Sequence, residues 1–302
     1  MIRARPIAII VLTFTCIVWG FTFISIKMVI AVIPPIWLGF IRFCLASIML
    51  FVMLLLSGKR PFLQKKHIGP MAGTGLLGVT LYFLFENNGI KLLSASEASI
   101  IVGTIPILTV IADSFIQKIK ISLPLIVGAV LSTIGVVIMV LESLKFTGNI
   151  AGYFFMGGAA ITWVAYSFTT KKLEKEYSGL ETTFWHSVAG ALGFIPFLGT
   201  EHPLWSDFSL VIGSNILFLA FLGSALGYLF YIESLAVLGT SITNIFINVI
   251  PVISVLGAYI FLKEKISTIQ YIGGSLAILG VFIVNQFSPK KITNPAPQGE
   301  NY

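Results

Sequence analysis

The chain has 302 residues, of which 57% are hydrophobic and only 10% charged, with a mean hydropathy of +0.98. An ordinary soluble domain carries about a quarter of its residues charged, so that class is excluded. The net charge of +7 raises the question of nucleic acid, but the placement of the basic residues answers it differently.

A crossing of the hydrocarbon core takes about 20 apolar residues at a rise of about 1.5 Å each. In chain order the apolar runs predict ten spans, at 7–26, 36–56, 68–90, 95–116, 123–141, 150–170, 180–198, 210–232, 240–262 and 269–287. The N-terminus, Met1-Ile2-Arg3-Ala4-Arg5, is followed by no small-x-small cleavage site. Its apolar run is longer than a signal h-region, so the segment reads as a retained first span. Cys16 and Cys44 fall within spans and imply no disulfide framework. Pro289, Pro295 and Pro297 mark 289–302 as a disordered tail.

With the N-terminus inside, Arg3, Arg5, Lys59, Arg60, Lys65, Lys66, Lys118, Lys120, Lys171, Lys172, Lys175, Lys290 and Lys291 are all cytoplasmic. Lys27, Lys91, Lys145, Lys263 and Lys265 fall on the other side, and Arg42 lies in a span. This is the lysine and arginine bias of a multi-pass membrane protein, not a nucleic-acid footprint. Both termini are predicted to be cytoplasmic.

The chain also repeats itself. Trp19 to Lys27 aligns with Trp163 to Lys171, and further along Gly78 aligns with Gly223, Pro106 with Pro251, Gly128 with Gly273 and Gly135 with Gly280. We read two units, 1–145 and 146–288. Each holds an odd number of spans, so the copies are inverted relative to each other, the arrangement of alternating-access transporters with a site between halves.

Polar and aromatic groups at bilayer depth mark candidate sites. Trp19 and Trp163 sit at repeat-related places near mid-span, either lining a cavity or packed in the core. Arg42 and His186 are also repeat-related, and with Glu86 they are candidates for charge pairing or coupling. Tyr82, Tyr166 and Tyr228 are candidate substrate-binding rings. Glu97 has a structural alternative, because Ser94-Ala95-Ser96-Glu97 fits a capping box. Glu86 lacks that explanation, so any proton coupling is assigned to it, unless it lies at the outer water interface beside Asn87 and Asn88. Pro106 and Pro251 are expected to break spans 4 and 9, freeing carbonyls near Val102 and Ile247. Asn244 and Asn248 form a polar strip beside the second break, read as either substrate-binding or interhelical glue. Asp113 and Glu233 are expected to be solvated near inner span ends. The paired glycines of spans 5 and 10 read as close-packing scaffold. No enzyme motif, metal-ligand cluster or cofactor fingerprint is present in the sequence.

Together these patterns resemble the EamA-type members of the drug/metabolite transporter superfamily, over residues 7 to 287. The resemblance rests on Trp19-Gly20, Arg42-Phe43-x-x-Ala46, Ala95-Ser96-x-x-Ser99 leading into Pro106-Ile107-Leu108, and Gly227-Tyr228 with Ala236. It also rests on the loop Leu262-Lys263-Glu264-Lys265-Ile266-Ser267. The first half departs there, with Ile119 at the acidic position. The resemblance implies ten spans, cytoplasmic termini, a prokaryotic cell membrane and a cavity lined by spans 1, 3, 4, 6, 8 and 9. It implies export of small organic solutes, often amino acids, by a protein whose partners are that solute, the bilayer and, where coupled, protons. A membrane-embedded enzyme and a non-transporting scaffold are the alternatives. Few cations and many rings favour an amphipathic, amino-acid-like solute over a sugar phosphate.

Overall fold

The computed structural model describes residues 2, 4–58, 60–93, 95–116, 122–141, 148–173, 176–262 and 266–287. Arg3, Lys59, Ser94 of the suggested capping box, Lys118, Ile119, Lys120, Lys145, Lys175, Lys263, Lys265, Lys290, Lys291 and the tail 289–302 lie outside the described residues.

Among the described residues all regular structure is helical. Eight helices among these residues are long and apolar enough to cross a membrane. They are α1 (Arg5–Val29), α2 (Pro35–Leu56), α3 (Lys65–Leu92), α5 (Leu123–Val140), α6 (Ile150–Leu173), α8 (Leu210–Leu238), α9 (Thr240–Gly257, running on to Leu262) and α10 (Thr268–Phe287). Between them lie α4, split into Ala95–Val102 and Ile105–Ile116, and α7 (Gly179–Phe194). Spans 4 and 7 are therefore not the uninterrupted rods that hydropathy suggests. Gly103 and Thr104 form a turn that interrupts α4 just ahead of Pro106, and α7 tightens into the 3-10 turn Ile195–Thr200 at Pro196.

The helix ends follow local chemistry. Prolines occupy the first turns of α1, α2 and α5, where a missing N–H costs nothing. Ser178 and Glu181 form a reciprocal capping box at α7, and Ser267 with Gln270 exchange the equivalent bonds at α10. Many large side chains left exposed are apolar, such as Ile10, Ile150 and Leu210 at 66%, 81% and 89% exposure. Such a surface suits lipid rather than water as the surrounding solvent.

Helix pairing respects the sequence repeat. α1 packs on α8 and α9, and α6 packs on α3 and α4; α2 packs on α7, and α5 on α10. Exchanging the two halves of the chain maps this set of contacts onto itself. Both described ends of the chain meet at one end of the bundle, where Arg5 Nη2 donates to the Asn285 carbonyl and, at 3.0 Å, to its Oδ1. At the opposite end the 195–207 connection covers α2, with Glu201 Oε2 accepting from Ile36 N at 2.8 Å.

The α5–α10 seam is backbone against backbone. A side chain on Gly135 would run into Ala277 N, and one on Gly273 into Met139 N. Neither neighbour is a flexible tip that can yield. Gly135→Ala should therefore destabilise the bundle by about 1–3 kcal/mol, the usual cost of overpacking. A thermal melt in detergent checks this, and an unshifted midpoint would show that the seam can open.

Candidate functional site

The site is built where α3 and α8 leave regular helix geometry. Leu76–Leu81 and Leu219–Leu226 are π-helical, at repeat-related positions. A π-turn widens the ring of backbone bonds and is often found at functional sites. Three of its carbonyls here serve side chains from elsewhere. Trp19 Nε1 donates to Gly223 O at 2.9 Å, Tyr228 OH to Gly78 O at 3.0 Å, and Arg42 Nε to Leu219 O at 3.2 Å. Close approach favours glycine at the centre of each turn: a side chain on Gly78 would strike the Tyr166 ring, and one on Gly223 would meet Arg42 Nη2 at 3.0 Å.

These turns surround a cluster of rings between the two halves. Trp19 and Trp163 meet edge-on, centroids 5.3 Å apart. Tyr82 and Tyr231 each lie 4.9 Å from Trp163, and Tyr228 lies 5.7 Å from it. Offset and edge-on arrangements satisfy the ring quadrupoles. A cavity of about 40 Å³ lies against this cluster, and Trp19, Tyr82, Trp163, Tyr228, Arg42 and Glu86 all contribute to its wall. On the scale that about 10–15 Å³ holds a water, it has room for a few waters only.

Arg42 is 2% exposed and Glu86 6%. The guanidinium also contacts Ser224 Oγ and lies 4.5 Å above the Phe83 ring. Tyr82 OH donates to Glu86 Oε1 at 2.6 Å. Glu86 is therefore an internal group, not one at the outer water interface.

Below the rings, towards the end bearing the termini, lies a closed polar network centred on Asn244. Its Oδ1 accepts from Tyr231 OH at 2.7 Å and from Trp163 Nε1 at 3.2 Å. Its Nδ2 donates to Thr109 Oγ1 at 2.9 Å and to Ser167 Oγ at 3.1 Å. All of the amide's usual bonding capacity is used, so α4, α6, α8 and α9 are tied at one point. Just beyond, Ser241 Oγ donates to Asp113 Oδ2, joining the first turn of α9 to the second segment of α4. The first segment of α4 packs instead on α5 and α6.

The other sequence candidates have different surroundings. The Tyr166 ring lies 5.7 Å from Trp163, tilted by 51°, and its OH is 3.2 Å from His186 Nδ1. Asn248 Nδ2 donates to Ser132 Oγ at 2.9 Å, against α5. His186, Tyr166, Asn244 and Asn248 do not contribute to the cavity wall, nor do Pro106 and Pro251, although their chain neighbours Ile105 and Ile250 do. Glu97 accepts from Tyr153 OH of α6. Asp113 and Glu233 are buried, at 6% and 8% exposure, not solvated; Glu233 accepts from Ile2 N and Gly179 N, at 2.8 and 3.2 Å. Apolar wall residues such as Phe83 and Ile105 carried no sequence signal. The π-turns did carry one, in the repeat-matched Gly78 and Gly223. Among the described residues no cluster of histidine, cysteine and acidic groups could hold a metal.

The sequence pattern of the EamA-like transporter family matches this chain twice, over residues 6–141 and 150–286. The chain belongs to the EamA-like transporter family. The two matches are the two repeats of the family fold. An uncharacterized transporter of Archaeoglobus fulgidus is 29% identical over 91% of this chain and 97% of its own length. The uncharacterized transporter YyaM of Bacillus subtilis is 28% identical, over 87% of this chain and 88% of its own. A protein of Streptantibioticus cattleyicolor named a probable terminal-alkyne amino-acid exporter is 22% identical, over 92% and 93%. A solved crystal structure superposes with a TM-score of 0.78 at 18% identity, covering 93% of this chain and 97% of that one. That likeness establishes the fold alone. EamA membership and the apolar helices make the chain a multi-pass membrane transporter.

Proposed function

We propose that this EamA protein exports small amphipathic metabolites of amino-acid type by alternating access at the ring-lined cavity between its inverted repeats. The observation that carries the reading is the asymmetry of the bundle about Trp19 and Trp163. Towards the termini, the Asn244 network and the Asp113–Ser241 contact bind α4 to α9. Away from the termini, among the described residues, the first segment of α4 packs on α5 and α6, and the cavity there holds charged groups. In the opposite state the two repeats exchange these roles, so the network opens and the Arg42–Glu86 side closes. The turn ahead of Pro106 in α4 and the 3-10 stretch Phe246–Asn248 ahead of Pro251 in α9 give the two helices the hinges for such a motion.

Rings and two buried charges suit an apolar body with polar ends, while a phosphate ester calls for clustered cations. The name of the Streptantibioticus relative supports an amino-acid class and the outward direction. Competition against a tracer in proteoliposomes by amino acids, aromatic cations and sugar phosphates tests the class; competition by sugar phosphates alone overturns it. An imposed proton gradient in the same vesicles tests coupling through Glu86. Gradient dependence retained in Glu86→Gln would remove that residue from the mechanism.

The lysine and arginine bias supports cytoplasmic termini and a cell-membrane location. In a background without native cysteines, Gln64→Cys should react with an impermeant maleimide only in inverted vesicles, and His202→Cys in intact cells. The reverse pattern would invert the topology.

A further inference from the structure

Arg42 and Glu86 present an unusual pairing problem. Both are more than nine-tenths buried and both form part of one cavity wall. Opposite charges so placed would normally meet, because an unpaired buried charge is costly. Among the described residues, however, no ion pair joins them. Each is instead held by neutral groups on its own side. Arg42 is pinned through Nε by Leu219 O and Ser224 Oγ and rests on Phe83, while its Nη1 is buried with no hydrogen-bond partner among the described residues. Glu86 is pinned through Oε1 by Tyr82. The anchors come from different helices, α8 for the arginine and α3 for the acid. The rings of Trp19, Trp163 and Tyr228 form part of the same wall.

We propose that Arg42 and Glu86 read the two ends of a zwitterion, with the carboxylate on the free face of the Arg42 guanidinium and the ammonium on Glu86. The proposal rests on the transporter reading above and adds which group reads which end. A guanidinium fork with a free nitrogen matches a carboxylate, whose binding satisfies the orphaned Nη1. An ammonium beside Glu86 also gains from the ring faces. The apolar part of the solute then lies along the rings. The present cavity of about 40 Å³ is too small for such a solute, so loading must part the rings, which places Trp19 and Trp163 as reporters of occupancy. Selectivity follows from the unmet partner. A ligand lacking either charge leaves one buried group unsatisfied, which costs about tenfold or more in affinity.

The test uses the full chain in detergent, with tryptophan fluorescence as the readout. The probes are leucine and phenylalanine, their decarboxylated amines (3-methylbutylamine and 2-phenylethylamine) and their deaminated acids (4-methylpentanoate and 3-phenylpropanoate). At least one amino acid should bind about tenfold or more tightly than both of its half-ligands. Arg42→Gln should erase the preference over the amine while keeping that over the acid, and Glu86→Gln should do the reverse. Arg42→Lys, which keeps a charge, should restore part of the first preference and guards against a merely misfolded Gln variant. If neither amino acid outbinds its amine and its acid in the unaltered protein, or if both Gln variants keep both preferences, the proposal is wrong. Saturable flux of a non-zwitterionic solute, found alongside that negative result, would leave the transporter reading standing and remove only this one.

Discussion

Asn244→Ala should loosen the terminus-side half of the bundle and bias the protein towards the opposite state. The substitution leaves Tyr231 OH, Trp163 Nε1, Thr109 Oγ1 and Ser167 Oγ without their shared partner in a region of near-zero exposure. One buried group left unsatisfied costs about 1–3 kcal/mol. Ser167 Oγ keeps its bonds to the Trp163 carbonyl and to Tyr231, which limits the total. A net shift of about 3 kcal/mol would raise the opened population by roughly a hundredfold. Thr243→Cys reports it, since residue 243 is fully buried beside the network. Maleimide should modify that cysteine slowly in the parent and much faster after Asn244→Ala. An unchanged rate would mean that Asn244 is interhelical glue with no part in the seal.

The second large effect is expected at Trp163. Its ring contacts Trp19, Tyr82, Tyr166, Tyr228 and Tyr231, and it is 2% exposed. Trp163→Ala should lower transport at least tenfold, because it removes both the cavity wall and a bond to Asn244. A buried tryptophan truncated to alanine costs about 3–5 kcal/mol, so flux must be normalised to monodisperse protein. Trp163→Phe separates the causes, keeping a ring while losing Nε1. We expect it to retain folded yield and part of the flux. Full flux in both variants would assign Trp163 to core packing.

The class of protein and its two-unit construction were legible in the chain, and the reasons are local. A bilayer-depth helix must be apolar along its length, so composition and periodic length reveal it. A duplicated unit keeps its glycines where backbones touch, so Gly128, Gly135, Gly273 and Gly280 mark close-packing faces on α5 and α10, and the fold brings those two faces together. The rings Trp19, Tyr82, Trp163 and Tyr228 were legible for the same reason, as aromatic residues at depths where lipid alone does not call for them.

Only the tertiary structure decided what those residues do for one another. That Asn244 closes a network while Arg42 and Glu86 stay apart depends on which helix faces which, across sequence separations of 81 and 135 residues for two of the Asn244 bonds. No local pattern encodes that. The repeat-matched Gly78 and Gly223 mark the π-turns of α3 and α8 in the chain, but only the fold shows that Tyr166 and Arg42, from other helices, pack against them. Asp113 and Glu233 show the same limit. Near a span end a carboxylate reads as solvated, yet each is buried by helix starts brought to it from elsewhere in the chain, Thr240–Ser241 and Gly179. Hydropathy measures each segment against lipid or water, whereas burial in a bundle is a property of neighbours that only the fold supplies.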